Sequence, residues 1–264
     1  MSFFSVNGLC AGYGCVLVLD DISFDITEGT LIGILGANGS GKTTLLKAVC
    51  GILPHEGNCV LDGAMLEGLS PRNTAKLCSY IPQRSGITID ISVLDVVLMG
   101  FNPQLGLLAQ PNASMREAAV HALAQVGLAG REEENYLHLS EGQKQLCILA
   151  RTLVTQSKLL LLDEPESALD FRYRYRMLQI IRRWVNENRT GAIATLHDPG
   201  LALNYCDRIL LLHEGKLLGC ISPAEDELSH MEALLRKVYG PVSLERVRNR
   251  SGWTQLVMLK EEDL

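Results

Sequence analysis

A glycine-rich stretch near the N-terminus has the composition of a loop that binds phosphate. Residues 36–44 read GANGSGKTT, which fits the pattern G-x-x-x-x-G-K-[ST] and directly follows the strand-like LIGIL. Glycines let the backbone wrap a phosphate, and the amides at the start of the following helix point at it. Lys42 supplies a positive charge, and the Thr43 hydroxyl can hold Mg²⁺. The stretch therefore predicts a phosphate-binding loop between a strand and a helix.

A second stretch places two acids at the end of a buried strand. Residues 159–165 read LLLLDEP, and a run of leucines is typical of a strand covered on both faces. Open α/β sheets bind ligands at the carboxyl ends of their strands, where Asp163 and Glu164 would lie. Asp163 would hold Mg²⁺ through water, and Glu164 could orient or deprotonate an attacking water. His197 in ATLHDPG also ends a strand, within reach of a terminal phosphate; we assign structural roles to the other histidines.

A third stretch, LHLSEGQKQL at residues 137–146, begins a helix in an unusual way. Ser140 and Gln143 have the spacing of a capping box, which favours the helix start. Gly142, in the second helical position, weakens the same helix by about 1 kcal/mol relative to alanine. The absence of a side chain at Gly142 leaves the amides of the first turn open to an anion, and the positive end of the helix dipole favours one.

The elements that carry these residues alternate between strands and helices. Short apolar runs separated by helical patterns indicate an α/β sheet that is largely parallel. A loop rich in Pro and Gly at 102–111 precedes helical spacing over 114–126, which predicts a helical lobe inserted into the sheet domain. The tail carries a helical pattern at 231–238 and a strand pattern at 253–259. The apolar runs lie at 31–35, 159–162, 192–196 and 209–212.

Composition excludes several other classes of protein. The chain has 264 residues, of which 47% are hydrophobic and 20% charged, which suits one large domain with lobes. A net charge of −6 argues against general electrostatic binding of nucleic acid. FRYRYR at 171–176 could suggest RNA binding, but Tyr173, Met177 and Trp184 form one helical stripe, so we expect the arginines on solvated faces.

The eight cysteines include no C-x-x-C pair, so neither a disulfide framework nor a zinc site is expected. No export signal or membrane-spanning run is evident.

Together the motifs resemble those of the ATP-binding subunits of ABC transporters, and the resemblance runs nearly end to end. Seven motifs occur in that family's order: an aromatic that stacks on adenine, the Walker A loop, the Q-loop glutamine, the signature LSGGQ, the Walker B acids, the D-loop and the switch histidine. They correspond to Tyr13 in AGYG, residues 36–43, Gln83 in YIPQ, LSEGQ at 139–143, Asp163 with Glu164, SALD at 167–170, and His197.

The resemblance implies a fold and a division of the chain. The expected α/β fold has a P-loop NTPase (RecA-like) core with a mostly parallel sheet, an N-terminal antiparallel β part and an inserted α-helical subdomain. One ATP-binding domain would span residues 1–264. Its core would comprise 1–83 and 158–220, its helical subdomain with the signature 84–157, and a C-terminal extension 221–264.

The resemblance also implies an ATPase that works in pairs. Two copies would face each other head to tail and enclose ATP and Mg²⁺, and their closure would drive a transmembrane permease at the cytoplasmic face of the cell membrane. An extracellular substrate-binding protein would take part indirectly, and nucleic acid would not. Catalysis would involve Glu164, His197, Gln83 and Lys42, and Mg²⁺ would be held by Thr43, Gln83 and Asp163. The residues expected to bind ATP are Tyr13, Gly36, Ala37, Asn38, Gly39, Ser40, Gly41, Lys42, Thr43, Thr44, Gln83, Asp163, Ser140, Gly142 and Gln143.

A narrower resemblance concerns the cargo. Residues 92–108 and 197–219 are similar to importer ATPases that serve iron-siderophore, haem and cobalamin uptake. Another cargo, such as a metal ion or an oxyanion, is one alternative, and a soluble ABC-type ATPase of DNA repair or translation is another. Proteins of that soluble class usually carry two cassettes or a long coiled-coil insertion. A P-loop kinase or GTPase would not explain LSEGQ or His197.

Glu141 is the position at which the signature departs from the family's commonest pattern. A carboxylate in the first turn favours the helix dipole by roughly 0.3 to 1 kcal/mol, yet it would repel a nearby triphosphate. We therefore expect Glu141 to point outward and to weaken ATP-driven closure mildly.

Overall fold

The apolar runs of the sequence form strands. The computed structural model describes residues 2–83, 86–106, 108–167 and 169–262. Within these ranges the strands are β1 (Phe4–Tyr13), β2 (Val16–Ile26), β3 (Leu31–Leu35), β4 (His55–Leu61), β5 (Ala64–Met65), β6 (Cys78–Ile81), β7 (Leu159–Asp163), β8 (Gly191–Thr195), β9 (Arg208–His213), β10 (Lys216–Ile221), β11 (Val242–Arg248) and β12 (Thr254–Lys260).

The helical patterns also form where the sequence predicts them. The helix after the phosphate loop and the helix predicted at 114–126 are both present. None of the helices in the described ranges combines the length and apolar character that a membrane span needs. The helices are α1 (Lys42–Val49), α2 (Pro71–Leu77), α3 (Val93–Leu98), α4 (Ala113–Val126), α5 (Glu141–Thr155), α6 (Phe171–Asn188), α7 (Pro199–Tyr205) and α8 (Leu228–Tyr239).

A six-stranded sheet carries all four of the strands that the apolar runs predict. Its order is β10-β9-β3-β8-β7-β6, and every neighbouring pair is parallel except β9 with β10. A second sheet, β2-β1-β4-β5, is antiparallel, and β11 pairs with β12 in a separate hairpin. The predicted α/β fold, with a mostly parallel sheet and an N-terminal antiparallel part, is therefore confirmed.

The parallel sheet separates two hydrophobic cores. Successive side chains of a strand point to opposite faces, and β7 shows this clearly. Leu160 and Leu162 pack in one core together with residues of α3, α5 and α6. Leu159 and Leu161 pack in the other core, with α1 and the antiparallel sheet. Because both faces are covered, the central strands β3, β7 and β8 are buried along their whole length, as their apolar runs indicated.

The stretch between β6 and β7 is helical. It contains α3, α4 and α5, which pack on one another, and Ser92 and Asn135 form an isolated bridge beside them. The division of the chain into a core, a helical subdomain and an extension remains a prediction. Some positions of the sequence predictions lie outside the described residues: Met1, Arg84 at the predicted lobe boundary, Leu107, Ala168 of SALD, and the last two residues.

Three details differ from the expectations. The strand predicted at 253–259 is present as β12, but its partner β11 was not predicted. Arg174 and Arg176 are partly buried rather than solvated, because Arg174 donates a hydrogen bond to the Leu169 carbonyl (2.8 Å) and Arg176 packs against Gly127. The cysteines are all free; their irregular spacing in the sequence suggests small buried residues, but Cys15 is exposed.

Candidate functional site

The predicted phosphate loop connects the end of β3 to the start of α1. Gly41 has a φ of 104° and precedes α1, whose N-terminus has no hydrogen bond to a capping side chain. A side chain at Gly36 would place its Cβ 2.1 Å from the Leu212 carbonyl oxygen, so only glycine fits. The Ser40 hydroxyl is buried and, within the described part of the chain, has no hydrogen-bond partner. The loop thus presents free amides and a hydroxyl to a ligand.

Lys42 lies inside this loop rather than on the surface. Its side chain is buried, and Nζ donates hydrogen bonds to the carbonyl oxygens of Gly36 (2.8 Å) and Ala37 (3.1 Å). Burial lowers the pKa of Lys42, while the carboxylates that follow β7 act in the opposite direction. The loop therefore contains one buried ammonium group, held by the backbone that would enclose a phosphate.

Asp163 joins the ends of four elements. Its Oδ1 accepts hydrogen bonds from the hydroxyls of Thr43 (2.9 Å) and Thr195 (3.0 Å), and its Oδ2 accepts one from the Tyr80 hydroxyl (3.0 Å). Burial, together with the Asp163 carboxylate, raises the pKa of Tyr80, so the phenol stays protonated and donates. The pairing of Thr43 with Asp163 agrees with their predicted shared role toward Mg²⁺. Tyr80 and Thr195 were not predicted.

Glu164 is fixed between two of the predicted catalytic residues. Its Oε1 lies 2.6 Å from His197 Nε2, and its Oε2 accepts a hydrogen bond of 2.5 Å from Gln83 Nε2. The Glu164 amide donates to the Thr195 hydroxyl at 2.8 Å. Glu164 and His197 therefore come together as predicted, and Gln83 contacts Glu164 from the loop that follows β6.

The backbone of Glu164 is strained. Its φ of 50° lies in the left-handed region, which a residue with a side chain adopts at a cost of about 1 to 3 kcal/mol. The hydrogen bonds to His197, Gln83 and Thr195 hold it there. Such strain concentrates at functional sites, where surrounding contacts fix a side chain in a working position.

Glu166 is a further acid of the site that the sequence analysis missed. It is only 2% exposed, and its Oε1 accepts a hydrogen bond of 2.9 Å from the His197 amide. Among the described residues its Oε2 has no hydrogen-bond partner. Burial raises the pKa of Glu166. The signal in the sequence was a third acid in DEPES, two residues after Glu164, which the Walker B pattern does not require.

We expect Glu166 to position His197, and substitution tests this. Glu166→Ala removes the acceptor of the His197 amide, a loss of about 1 to 3 kcal/mol, so the ATPase kcat is expected to fall about tenfold to a hundredfold. The KM for ATP should change little, because Glu166 does not belong to the phosphate loop. Glu166→Gln keeps an acceptor of the same size and should retain most of the activity. Steady-state ATPase assays check both variants, and equal loss in both would contradict this role.

The turn at the start of α5 has the predicted capping box. The Ser140 hydroxyl accepts a hydrogen bond from the Gln143 amide (3.3 Å), and Gln143 Oε1 accepts one from the Ser140 amide (2.9 Å). Among the described residues, no hydrogen bond joins this turn to the phosphate loop. The helix does contact the catalytic region further along, since Gln145 Nε2 donates to the Gln83 carbonyl at 2.7 Å.

Glu141 and Gly142 occupy the first two positions of this helix. The side chain of Glu141 is 71% exposed and forms an ion pair of 2.7 Å with Lys144, so it points outward as expected. Its effect on closure remains a prediction. A Cβ at Gly142 would lie 3.3 Å from Leu169 Cδ2, so close packing on the segment after β7 is a second reason for this glycine.

Tyr13 lies at the end of β1 and is about half exposed. The hairpin of β1 and β2 also approaches the phosphate loop, because a Cβ at Gly41 would lie 2.7 Å from Leu19 Cδ2. The predicted stacking of Tyr13 on adenine remains a prediction.

The site as a whole fits a phosphate ester with a divalent cation. The uncapped helix, the buried ammonium group of Lys42 and the unpartnered Ser40 hydroxyl suit phosphate oxygens. The Thr43 hydroxyl and the Asp163 carboxylate supply the oxygen ligands that Mg²⁺ prefers. Glu164 lies next to them, and His197 and Gln83 each hold one oxygen of its carboxylate.

This fold and this site define an ATPase of the ABC class. A family model described as "ABC transporter" matches residues 19–167, and the chain belongs to that family. The chain is 38% identical over 211 residues to the hemin import ATP-binding protein HmuV of Vibrio parahaemolyticus, covering 78% of this chain and 80% of that protein.

Two further comparisons agree. A Helicobacter pylori protein named as an iron chelatin transport ATP-binding protein is 36% identical over 214 residues, covering 80% of this chain and 84% of its own length. A solved structure described as an inward-facing conformation of a metal-chelate type ABC transporter superposes with a TM-score of 0.83 at 25% identity, covering 99% of both chains.

Proposed function

We propose that this chain binds and hydrolyses ATP to energise the import of an iron-siderophore, haem or cobalamin-type chelate through a separate permease. The observation that carries the ATPase part is the Glu164 carboxylate, fixed between Gln83 and His197 beside the phosphate loop. The names of the relatives, hemin import and iron chelatin transport, support the cargo class. Import of another metal ion or of an oxyanion is the alternative.

The phosphate loop would hold the nucleotide. The amides at the start of α1 would donate to its phosphates, and Lys42 would move its ammonium group from the loop carbonyls to the phosphate oxygens. Thr43 and Asp163, with Gln83, would hold Mg²⁺, which when bound neutralises charge that develops on the phosphates. Tyr13 would stack on the adenine ring.

Hydrolysis requires a group that accepts a proton from water. Glu164 is placed for this because its carboxylate is held at both oxygens and its side chain is only 14% exposed. His197 would bind the terminal phosphate and orient Glu164, and Glu166 would hold the His197 backbone in place. The protein would thus supply a general base and an orienting partner.

The signature turn would act on a second copy of the chain. Ser140, Gly142 and Gln143 form a capped helix start whose hydrogen bonds lie within its own turn. In a head-to-tail dimer this turn would meet the nucleotide held by the partner's phosphate loop, and its dipole favours an anion. Lys144, paired with Glu141, would reduce the repulsion that a carboxylate creates there.

Coupling to the permease would use the helical part of the chain. We propose the core at residues 1–83 and 158–220, the helical subdomain at 84–157 and the extension at 221–264. The bond between Gln145 and the Gln83 carbonyl links the signature helix to the glutamine beside Glu164. A movement of the helical subdomain would therefore reach the hydrolytic carboxylate. An extracellular binding protein would deliver the chelate to the permease.

Co-expression with a candidate chelate permease tests the proposal. We expect the chain in the membrane fraction when that permease is present and in the supernatant when it is absent. Proteoliposomes that contain both proteins should take up radiolabelled haem or ferric siderophore only with ATP. Recovery in the supernatant under both conditions would favour the soluble ABC-type ATPase. Uptake of a simple oxyanion alone would show that the cargo is an oxyanion and not a metal chelate.

A further inference from the structure

A cluster of three potential metal ligands lies outside the nucleotide site, in the antiparallel sheet. His55 begins β4, Cys59 lies on the same strand, and Glu67 follows β5. One ligand atom from each of the three residues lies within 4.8 Å of the other two. The cysteine spacing did not suggest a metal site, because only one of the three ligands is a cysteine.

The local fold explains why these residues converge. His55 and Cys59 lie on either side of Gly57, whose φ of 86° interrupts the regular alternation of β4, and their ligand atoms converge. β5 pairs with β4 and returns the chain beside it, with Val60 opposite Met65. Glu67 is then fixed against Cys59, whose amide donates to Glu67 Oε1 at 2.6 Å. The arrangement is thus held by backbone contacts and does not depend on three mobile side chains.

The hydrogen bonds of His55 point to a cation between His55 and Glu67. His55 Nδ1 lies 3.1 Å from the Glu56 carbonyl oxygen, which can only accept, so Nδ1 carries the proton. In the neutral ring Nε2 then has a lone pair, and it faces Glu67 Oε1 at 3.7 Å. A cation placed between these two atoms would be attracted by both of them. A histidine whose second nitrogen donates to a carbonyl is the usual metal-binding arrangement.

Glu67 carries a second, independent sign of a missing partner. Its Oε2 is buried and, in the part of the chain that the structure describes, makes no hydrogen bond. A buried carboxylate oxygen without a partner loses its hydration without compensation, which is costly. A cation bound by Glu67 and His55 would remove that cost.

We propose that His55, Cys59 and Glu67 bind a zinc ion. A set of one imidazole, one thiolate and one carboxylate suits Zn²⁺, whereas Mg²⁺ and Ca²⁺ prefer oxygen ligands alone. His55 and Glu67 also line a cavity of about 640 Å³, which reaches Tyr80 and leaves space for water as a fourth ligand. Zinc bound here would join β4 to the segment after β5 and stabilise the antiparallel sheet.

The test uses the full-length protein, stripped of metal with a chelator and free of nucleotide. Calorimetric titration with ZnCl2 is expected to show one site per chain, and zinc is expected to raise the thermal midpoint. His55→Gln and Cys59→Ser should each weaken zinc binding by more than about tenfold, since loss of an outer-shell partner alone costs 10- to 100-fold. Cys220→Ser, a partly buried cysteine away from the cluster, is the matched control and should bind as the parent does.

Cobalt substitution keeps the test decisive if a variant folds poorly. Co²⁺ bound to the unmodified chain should show a thiolate-to-cobalt charge-transfer band, and Cys59→Ser should lose it while Cys220→Ser retains it. Absence of that band, or equal zinc affinity in the parent and in His55→Gln, would overturn the proposal. Either result would leave the direct contact between His55 and Glu67 as the account of the cluster.

Discussion

Glu164→Gln is expected to lower ATP turnover by about 10²- to 10⁴-fold while ATP still binds. The amide keeps the size of the carboxylate and can still contact His197 and Gln83, but it cannot accept a proton from water. The phosphate loop is unchanged, because Glu164 makes no hydrogen bond to it in the described residues. ATP would then hold the chain in the closed state, and we expect a dimer, or a closed complex with the permease, to accumulate.

Steady-state ATPase assays and size-exclusion chromatography with ATP measure the two parts of this prediction separately. Glu117→Gln, an exposed acid on α4, is the matched control and should behave as the unmodified chain does in both assays. Unchanged turnover in Glu164→Gln would remove Glu164 from its role as general base. Low turnover without dimer accumulation would leave that role intact and would count against ATP-driven closure.

The parts of the site that are local in sequence could be predicted from it. The phosphate loop, the capped start of α5 and the acids after β7 each occupy a few consecutive residues. Their chemistry follows from residue type and from the element that precedes them. The parallel strands β3, β7, β8 and β9 were equally clear, because burial on both faces gives an apolar run. The parallel strand β6, which reads CSYI and is only partly buried, was not predicted.

The groups that support these residues could not be predicted, because they come from distant parts of the chain. Tyr80, Asp163 and Thr195 lie at or next to the ends of three neighbouring strands and meet only through the order of the sheet. Glu166 acts on the His197 backbone, and a hydrogen bond to an amide leaves no residue pattern. The bounds of strand β1 also could not be predicted, because irregularities in its pairing with β2 interrupt the alternation of its side chains.

The second large effect is expected for Lys42→Ala, which should abolish detectable ATP hydrolysis. Lys42 provides the buried positive charge of the phosphate loop, and burial has already removed much of its water. A hydrogen bond to a charged group contributes about 1.5 to 3 kcal/mol, so ATP binding should weaken roughly ten- to a hundredfold. Without Lys42, the carboxylates of Asp163 and Glu164 would also face the phosphates with less compensating charge, which lowers affinity further.

Binding of a fluorescent ATP analogue and phosphate release measure the two effects of Lys42→Ala. Lys47→Ala removes a lysine from the last turn of the same helix and should change neither, which separates loss of the charge in the loop from loss of helix stability. Lys42→Arg adds a sharper comparison, because a planar guanidinium cannot replace a compact ammonium group between two loop carbonyls, and its hydrolysis should also fail. Parent-level ATPase activity in Lys42→Ala would contradict the assignment of residues 36–44 as the nucleotide-binding loop, and with it the placement of Asp163 and Glu164 beside a phosphate.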